Sequence, residues 1–312
     1  MALKIEDKYM WRALQLARNG EGRVSPNPMV GAVIVNDDRI IGEGYHAYYG
    51  GPHAEVNAIN SVKSKDRHLL KDSTIYVTLE PCAHYGKTPP CANLIVATGI
   101  PRVVIGSNDP NPKVAGKGVE ILKTAGIEVE TGVLENECDS LNKRFMKAHT
   151  GEIPWIILKW AQSSDGYMAS CENGCVTPFK FSSSLSSVWM HRQRANVDAI
   201  IVGANTERID HPGLNVRYWG GNSPKKYVAE GNLNLSDFLK KIRKEGITSI
   251  MVEGGAHLLS SFIQEGLYDE IRVEISPVAL KNGLKVPSLP NDIRLIREEK
   301  CRDNIILNYR RL

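Results

Sequence analysis

The chain has 312 residues, of which 42% are hydrophobic, and its 39 basic and 35 acidic side chains leave a net charge of +4. The length fits two domains of about 150 residues each, and the apolar fraction is enough for a core in both. The basic residues are scattered, with Lys240-Lys241 and Arg310-Arg311 as short pairs, so no basic block argues for a nucleic-acid partner. The N-terminus, Met1 to Asp7, is polar, and apolar runs such as Ile153 to Leu158 are too short to span a bilayer. A cytoplasmic protein with no membrane partner is expected.

Asp7 to Asn19 reads as an amphipathic helix that Gly20 ends. Val30 to Val35 and Ile40 to Tyr45 read as two strands joined by the turn Asn36-Asp37-Asp38. A helix follows over His53 to Asn60. Ile75 to Leu79 is a buried strand that delivers Glu80-Pro81-Cys82, and Cys91 opens a helix running to Thr98. Val103 to Ser107, Gly118 to Ala125 and Ile127 to Val133 read as strand, helix and closing strand. Asn142 to Pro154, with its basic residues, Gly151 and Pro154, reads as the domain boundary. The second half alternates again, through strands at Trp155 to Lys159, Ala199 to Gly203, Ile250 to Glu253 and Glu270 to Ile275. Helices are expected over Leu235 to Glu245 and Ala256 to Glu265. Both halves are therefore α/β.

The chemistry concentrates in His53-Ala54-Glu55 and in Cys82 and Cys91. One imidazole and two thiolates make three zinc ligands, and a catalytic zinc keeps its fourth position open. Cysteines near a helix N-terminus are favoured as thiolates. Glu55, two residues after His53, can face the same pocket and carry protons. Zinc nucleobase deaminases use such a set, with the glutamate as acid/base and not as ligand. A structural zinc with His84 as fourth ligand, or no metal at all, is the plainer alternative. Of the six cysteines, Cys138, Cys171, Cys175 and Cys301 show no disulfide framework, and thiolate ligands suit a reducing cytosol.

Pro26-Asn27-Pro28-Met29-Val30-Gly31-Ala32-Val33, Gly44-Tyr45-His46, His53-Ala54-Glu55 and Thr78-Leu79-Glu80-Pro81-Cys82 resemble the cytidine-deaminase-like superfamily. Most members have two residues between the cysteines. Here eight stand between them, Ala83 to Pro90, and Asn108-Asp109-Pro110-Asn111-Pro112 follows. In both respects the first half is similar to the bifunctional riboflavin-biosynthesis deaminase–reductases. The resemblance implies a cytidine-deaminase-like three-layer sandwich over residues 1–150. It also implies a dihydrofolate-reductase-like α/β domain over 151–312. The implied substrate is a diamino-pyrimidinone carrying a ribosylamino 5′-phosphate. Zinc would sit on His53, Cys82 and Cys91, Glu55 would shuttle protons, and Asn27, His46, His84 and Lys87 would contact substrate. A homo-oligomer is implied as well.

The second half resembles the family's reductase domain at Lys159 to Gly166, His191 to Ala195, Asp198 to Thr206, Asp210 to Arg217 and Val252-Glu253-Gly254-Gly255-Ala256. By that resemblance Gln162, Thr206, Asp210, Gly255, Ala256, His257, Leu258, Leu259, Ser260 and Ser261 line an NADPH site. Arg194, Leu214, Arg217 and Glu253 line the substrate site, with both arginines suited to the phosphate. Glycines after a strand let backbone approach a pyrophosphate at a helix N-terminus. The chain departs from the family in two places. Tyr218 to Asn234 is only a short polar stretch where a strand and a helix are usual, so a shortened central sheet is expected. Cys171 to Phe181 also aligns poorly. A deaminase with an inactive reductase-like domain is therefore a second reading. A nucleic-acid-editing enzyme is a third, against which the mild charge and the insert between the cysteines speak.

Overall fold

The computed structural model describes residues 5–84, 89–112, 114–172, 175–231 and 233–312. The chain divides into two compact units, Met1–Thr150 and Gly151–Leu312. Unit 1 runs α1 (Ile5–Ala17), β1 (Gly31–Asn36), β2 (Arg39–Tyr45), α2 (Ala54–Ser61), β3 (Thr74–Leu79), α3 (Cys91–Thr98) and β4 (Arg102–Ser107). It continues through α4 (Lys117–Thr124), β5 (Glu128–Thr131), α5 (Glu135–Leu141) and α6 (Lys143–Thr150).

The five strands of unit 1 lie in the order β2-β1-β3-β4-β5. β1 is antiparallel to both neighbours, and β3, β4 and β5 are parallel. Strand side chains alternate between faces, and the sequence fills both. Ala32, Ile34, Ile75, Val77, Val103 and Ile105 pack against Ala54, Ala58 and Ile59 of α2, Ala92 and Ile95 of α3, and Leu122 of α4. Val33, Val35, Tyr76 and Val104 face the other way, onto Tyr9, Met10, Ala13 and Leu14 of α1 and Cys138 of α5. The result is the three-layer sandwich that the resemblance implies. Each fully buried branched side chain contributes about 1.5–3 kcal/mol. Asp37 and Asp38 make the β1–β2 turn with φ of 47° and 59°, a conformation that short polar side chains tolerate. At Gly44 a Cβ would stand 2.3 Å from the Ala58 nitrogen and 2.5 Å from the Ala54 oxygen. Helix α2 therefore lies directly on β2, which sets the depth of the residues at its N-terminus.

Unit 2 runs β6 (Trp155–Gln162), β7 (Tyr167–Glu172), β8 (Cys175–Pro178), α7 (Ser184–Ala195), β9 (Ala199–Gly203), α8 (Ala204–Asp210), β10 (Lys225–Ala229) and α9 (Leu235–Lys244). It ends with β11 (Ser249–Val252), α10 (Ala256–Gln264), β12 (Glu270–Ile275), β13 (Gly283–Lys285), β14 (Ile293–Cys301) and β15 (Asn304–Arg311). Seven strands form one sheet in the order β10-β9-β11-β6-β12-β15-β14. The strands from β10 to β12 are parallel, and β15 and β14 add antiparallel. Ile156, Leu158, Ile201 and Val252 face α9 and α10 through Leu239, Ile242, Leu259 and Phe262. Trp155, Ile157, Ile200 and Met251 face Met190 of α7.

The two units divide between Thr150 and Gly151, inside the stretch read as the boundary, which α6 fills as far as Thr150. The stretch from Tyr218 to Asn234 is short, yet it holds β10, which pairs parallel with β9 from Lys225↔Ala199 to Ala229↔Gly203. The two lysines and single tyrosine of β10 hid an edge strand, where one solvated face weakens the apolar signal. The poorly aligning segment around Cys171 is the hairpin β7–β8, which joins β13 in a separate three-stranded sheet.

Candidate functional site

His53 is the residue that caps α2, and Cys91 is the first residue of α3. Cys82 lies between β3 and α3, so three neighbouring elements deliver the three ligands. His53 Nδ1 is 3.6 Å from Cys82 Sγ and 3.3 Å from Cys91 Sγ. All three ligand atoms lie within 4.8 Å of one another. Zn–S bonds of about 2.3 Å and Zn–N bonds of about 2.0 Å in a tetrahedron demand edges of about 3.5–3.8 Å. The trio thus has the spacing of three corners of a zinc tetrahedron. Among the described residues it is the one His/Cys/Asp/Glu group with metal-holding geometry, and His84 is not part of it.

The two sulfurs titrate as a pair. The Cys91 thiol donates toward Cys82, which holds Cys82 down at about 4, well below the ordinary thiol range, and pushes Cys91 up. The backbone N–H of Cys91 also donates to Cys82 Sγ at 3.3 Å, the amide contribution expected at a helix N-terminus. Glu55 lies in the first turn of α2 and is 3% exposed. Burial pushes its carboxyl up to about 7, and the Cys82 sulfur adds to the rise. A carboxyl that titrates near neutrality can both take and give a proton.

The trio opens into a cavity of about 280 Å³. Asn27, His46 and His84 line it together with His53, Glu55 and Cys82. His46 is buried, and that burial pulls its pKa down, so the ring is neutral. Its Nδ1 lies 2.9 Å from the Pro52 oxygen and its Nε2 lies 3.1 Å from Asn27 Nδ2. The carbonyl can only accept, so Nδ1 carries the proton and Nε2 accepts from the Asn27 amide, which fixes that amide's orientation. Lys87, the fourth expected substrate contact, lies outside the described residues.

The same cavity is lined by residues that sequence reasoning missed: Glu80, Asp109, Asn111, Val114, Phe145 and His149. Phe145 and His149 sit on α6, with ring centroids 4.3 Å apart. They are placed by Asn142, whose amide accepts from Met29 N–H at 2.8 Å and donates to the Met29 oxygen at 2.8 Å. Nothing local in the sequence announces that contact. The nearest signal is the i, i+4 spacing of Phe145 and His149 on one helical face.

In unit 2 a cleft of about 500 Å³ opens at the carboxyl ends of β9, β10 and β11, lined by Gly203, Ala229 and Gly255. Ligands of open parallel sheets bind at such ends. Of the residues expected at the cofactor, Thr206, Gly255, His257, Leu258 and Ser261 line this cleft. Leu259 does not, because its side chain is fully buried in the core with Phe262. The helical period puts both on the face of α10 opposite to His257 and Ser261. Gln162, Asp210, Ala256 and Ser260 are not on the cleft wall, and the Gln162 Oε1 accepts from Trp160 Nε1 at 2.8 Å. The cleft suits a dinucleotide, with backbone amides of α10 at its mouth and Gly203 and Gly255 leaving room for close approach.

Arg194, Leu214, Arg217 and Glu253 do come together, but not as a row of free contacts. Arg194 donates two parallel hydrogen bonds to Glu253, Nε to Oε1 and Nη2 to Oε2, each at 2.8 Å. Burial pushes the Glu253 carboxyl up, and the Arg194 guanidinium more than offsets this, so it stays below its ordinary value. Leu214 is buried against Met190. Arg217 is exposed, with its backbone N–H on His191 Nδ1 at 2.9 Å and its guanidinium over the Tyr218 ring. The expected grip of both arginines on one phosphate is therefore corrected: Arg194 is committed to Glu253, and Arg217 alone is open.

Comparison with known proteins agrees with this two-site architecture. Residues 3–107 match the model of the cytidine and deoxycytidylate deaminase zinc-binding region. Residues 154–236 and 228–293 match the model of the RibD C-terminal domain. The riboflavin biosynthesis protein RibD of Aquifex aeolicus is 38% identical, over 96% of this chain and 94% of that one. The structure of RibD from Acinetobacter baumannii superposes with a TM-score of 0.88 at 33% identity, covering 100% of both chains. The crystal structure of a diaminohydroxyphosphoribosylaminopyrimidine deaminase/5-amino-6-(5-phosphoribosylamino)uracil reductase from Thermotoga maritima also gives 0.88 at 33% identity, covering 99% of both.

Proposed function

Because the chain belongs to the RibD family of riboflavin-biosynthesis deaminase–reductases, we propose how its own residues divide the two reactions. The enzyme removes an amino group from a diamino-pyrimidinone carrying a ribosylamino 5′-phosphate, then reduces the ribosyl group to ribityl, with zinc and NADPH as cofactors. Both domain models match, and the RibD structures are covered over 99–100% of their length, so the reading as a deaminase alone is set aside.

Unit 1 is the deaminase. His53, Cys82 and Cys91 would hold the metal, which when bound would supply a water acidified to a pKa of about 7. Glu55 would take a proton from that water and give it to the ring nitrogen, then take the proton of the hydroxyl added to the ring carbon and give it to the amino group, which leaves as ammonia. Its burial keeps it close to the pKa both transfers need. Asn27, oriented by His46, offers its amide oxygen to the substrate, and His84 on the cavity wall contacts it as well; Lys87 is kept as a substrate contact on the family resemblance alone. The observation that carries this assignment is the placement of a buried Glu55 beside three ligand atoms at zinc spacing. In Glu55→Gln, we expect zinc content and reductase turnover to stay as in the parent. Deamination should fall by about 10²–10⁴-fold. A variant that still deaminates at the parental rate removes the assignment.

Unit 2 is the reductase. The cleft at the ends of β9, β10 and β11 would hold NADPH, which when bound would supply the hydride. Thr206, Gly255, His257, Leu258 and Ser261 shape that cleft, and the amides opening α10 meet the pyrophosphate. Arg217 binds the substrate phosphate, and the Arg194–Glu253 pair forms a fixed wall beside it. The edge strand β14 exposes Leu295 and Ile296, at 45% and 41%, which supports self-association of the chain. Light scattering on the purified protein measures that mass. Among the described residues no helix is long and apolar enough to cross a membrane, and cytoplasmic residence is part of the same proposal.

A further inference from the structure

Two carboxylates are buried at the unit 1 pocket, and they are held in opposite ways. Glu55, 3% exposed, stands beside the metal ligands, whereas Glu80, 6% exposed, is surrounded by backbone donors. Glu80 Oε2 accepts from the backbone N–H of Asp109 at 3.2 Å and of Gly116 at 3.0 Å. Its Oε1 accepts from Gly118 N–H at 2.9 Å and Val119 N–H at 3.4 Å. The Glu80 N–H in turn donates to the Ser107 oxygen at 2.8 Å. One side chain thus ties the amides that leave β4 to the amides that open α4.

The segment between those two ends carries Asp109, Asn111 and Val114, three residues of the pocket wall. Within it Asp109 Oδ1 accepts from Asn111 N–H, and the Asn111 oxygen accepts from Val114 and Ala115 N–H, each at 2.8 Å. The clamp is tight where it meets α4. A Cβ on Gly118 would stand 2.0 Å from the Pro81 oxygen and 3.1 Å from Glu80 Oε1. Four donors converging on two oxygens need a carboxylate, because a carboxamide would turn an N–H₂ toward two of them.

We infer that Glu80 is a positioning residue of the deamination, which acts through the wall formed by Asp109, Asn111 and Val114. Its oxygens are taken up by backbone amides, so it carries no proton for the reaction. Its effect is on how the substrate is held, and a wall that fits substrate and transition state alike is read in KM.

The test uses the full-length, zinc-loaded enzyme, with the reductase reaction as internal control. Glu80→Gln should keep its zinc and its reductase rate. It should raise the deaminase KM by about tenfold and leave kcat within about twofold. Asn111→Ala should raise KM in the same way, and the double variant should be no worse than the poorer single one, since both act on one wall. A fall in kcat at constant KM, unchanged kinetics, or KM effects that multiply would each overturn the inference. If Glu80→Gln fails to fold, Asn111→Ala decides alone, and an unchanged KM in it overturns the wall. The inference rests on unit 1 being the deaminase. A fully active Glu55→Gln sinks that reading, whereas an inactive Glu55→Gln beside an unaltered Glu80→Gln sinks only this one.

Discussion

The zinc pocket of unit 1 and the cofactor cleft of unit 2 are built from different materials. In unit 1 the working groups are side chains of restricted type: an imidazole, two sulfurs and a buried carboxyl, brought within 4.8 Å for the ligand atoms. In unit 2 the cleft is made of strand ends, glycines and one face of a helix, and of the charged side chains expected at the substrate Arg194 and Glu253 are paired with each other. A metal tolerates few donor types at few distances. A dinucleotide accepts any backbone that leaves room and points N–H groups at phosphate. The first kind of site is fragile at single residues, and the second is fragile in its framework.

The largest expected effect tests the first half of that contrast. Stripping zinc with a chelator should take deamination to background and leave NADPH-dependent reduction at its full rate, measured on the same sample with each substrate. A parallel loss of reduction would mean that the two sites do not work independently.

The next effect is on the framework of unit 2. Glu253→Gln leaves the Arg194 guanidinium buried without its counter-charge, and breaking such a pair costs about 3–5 kcal/mol. Denaturant unfolding should show unit 2 destabilised by that amount, with unit 1 and its deaminase rate unchanged. A shift of unit 1 instead would contradict the separate cores of the two units.

The smallest effect concerns a single cap. Ser183 Oγ accepts from the Ser186 N–H at 3.1 Å at the start of α7, the helix that carries Arg194. Ser183→Ala should cost about 1 kcal/mol, seen as a small loss of unit 2 stability. Reduction at ordinary temperature should be unaltered.

The same contrast explains what was legible in the sequence. His53, Glu55, Cys82 and Cys91 stand out because their chemistry depends on residue identity. The strands Val30 to Val35 and Ile75 to Leu79 stand out because both faces are buried and the runs are continuously apolar. Leu259 was misread because a contiguous stretch, Gly255 to Ser261, was assigned to the cofactor, while a helix turns every third or fourth residue into the core. Strand β10 was missed because an edge strand with Lys225 and Lys226 at its start looks like a loop. Arg194 looked like a free phosphate ligand because its partner, Glu253, is far off in sequence. Phe145, His149 and the clamp at Glu80 were invisible for that reason too. They depend on backbone contacts across the fold, which no local pattern encodes.

The pair of hydrogen bonds between Asn142 and Met29 joins residues 113 apart. On a ribosome, which releases the chain from its N-terminus, His53, Cys82 and Cys91 emerge well before Asn142. The metal-binding corner can assemble while the rim that carries Phe145 and His149 is still unmade. Among the described side-chain hydrogen bonds of unit 1 this pair spans the most sequence, and it closes after the metal corner. A nascent chain halted between α5 and α6 would present a metal centre open to bulk water, and selectivity for substrate would arrive only with the helix that completes the unit.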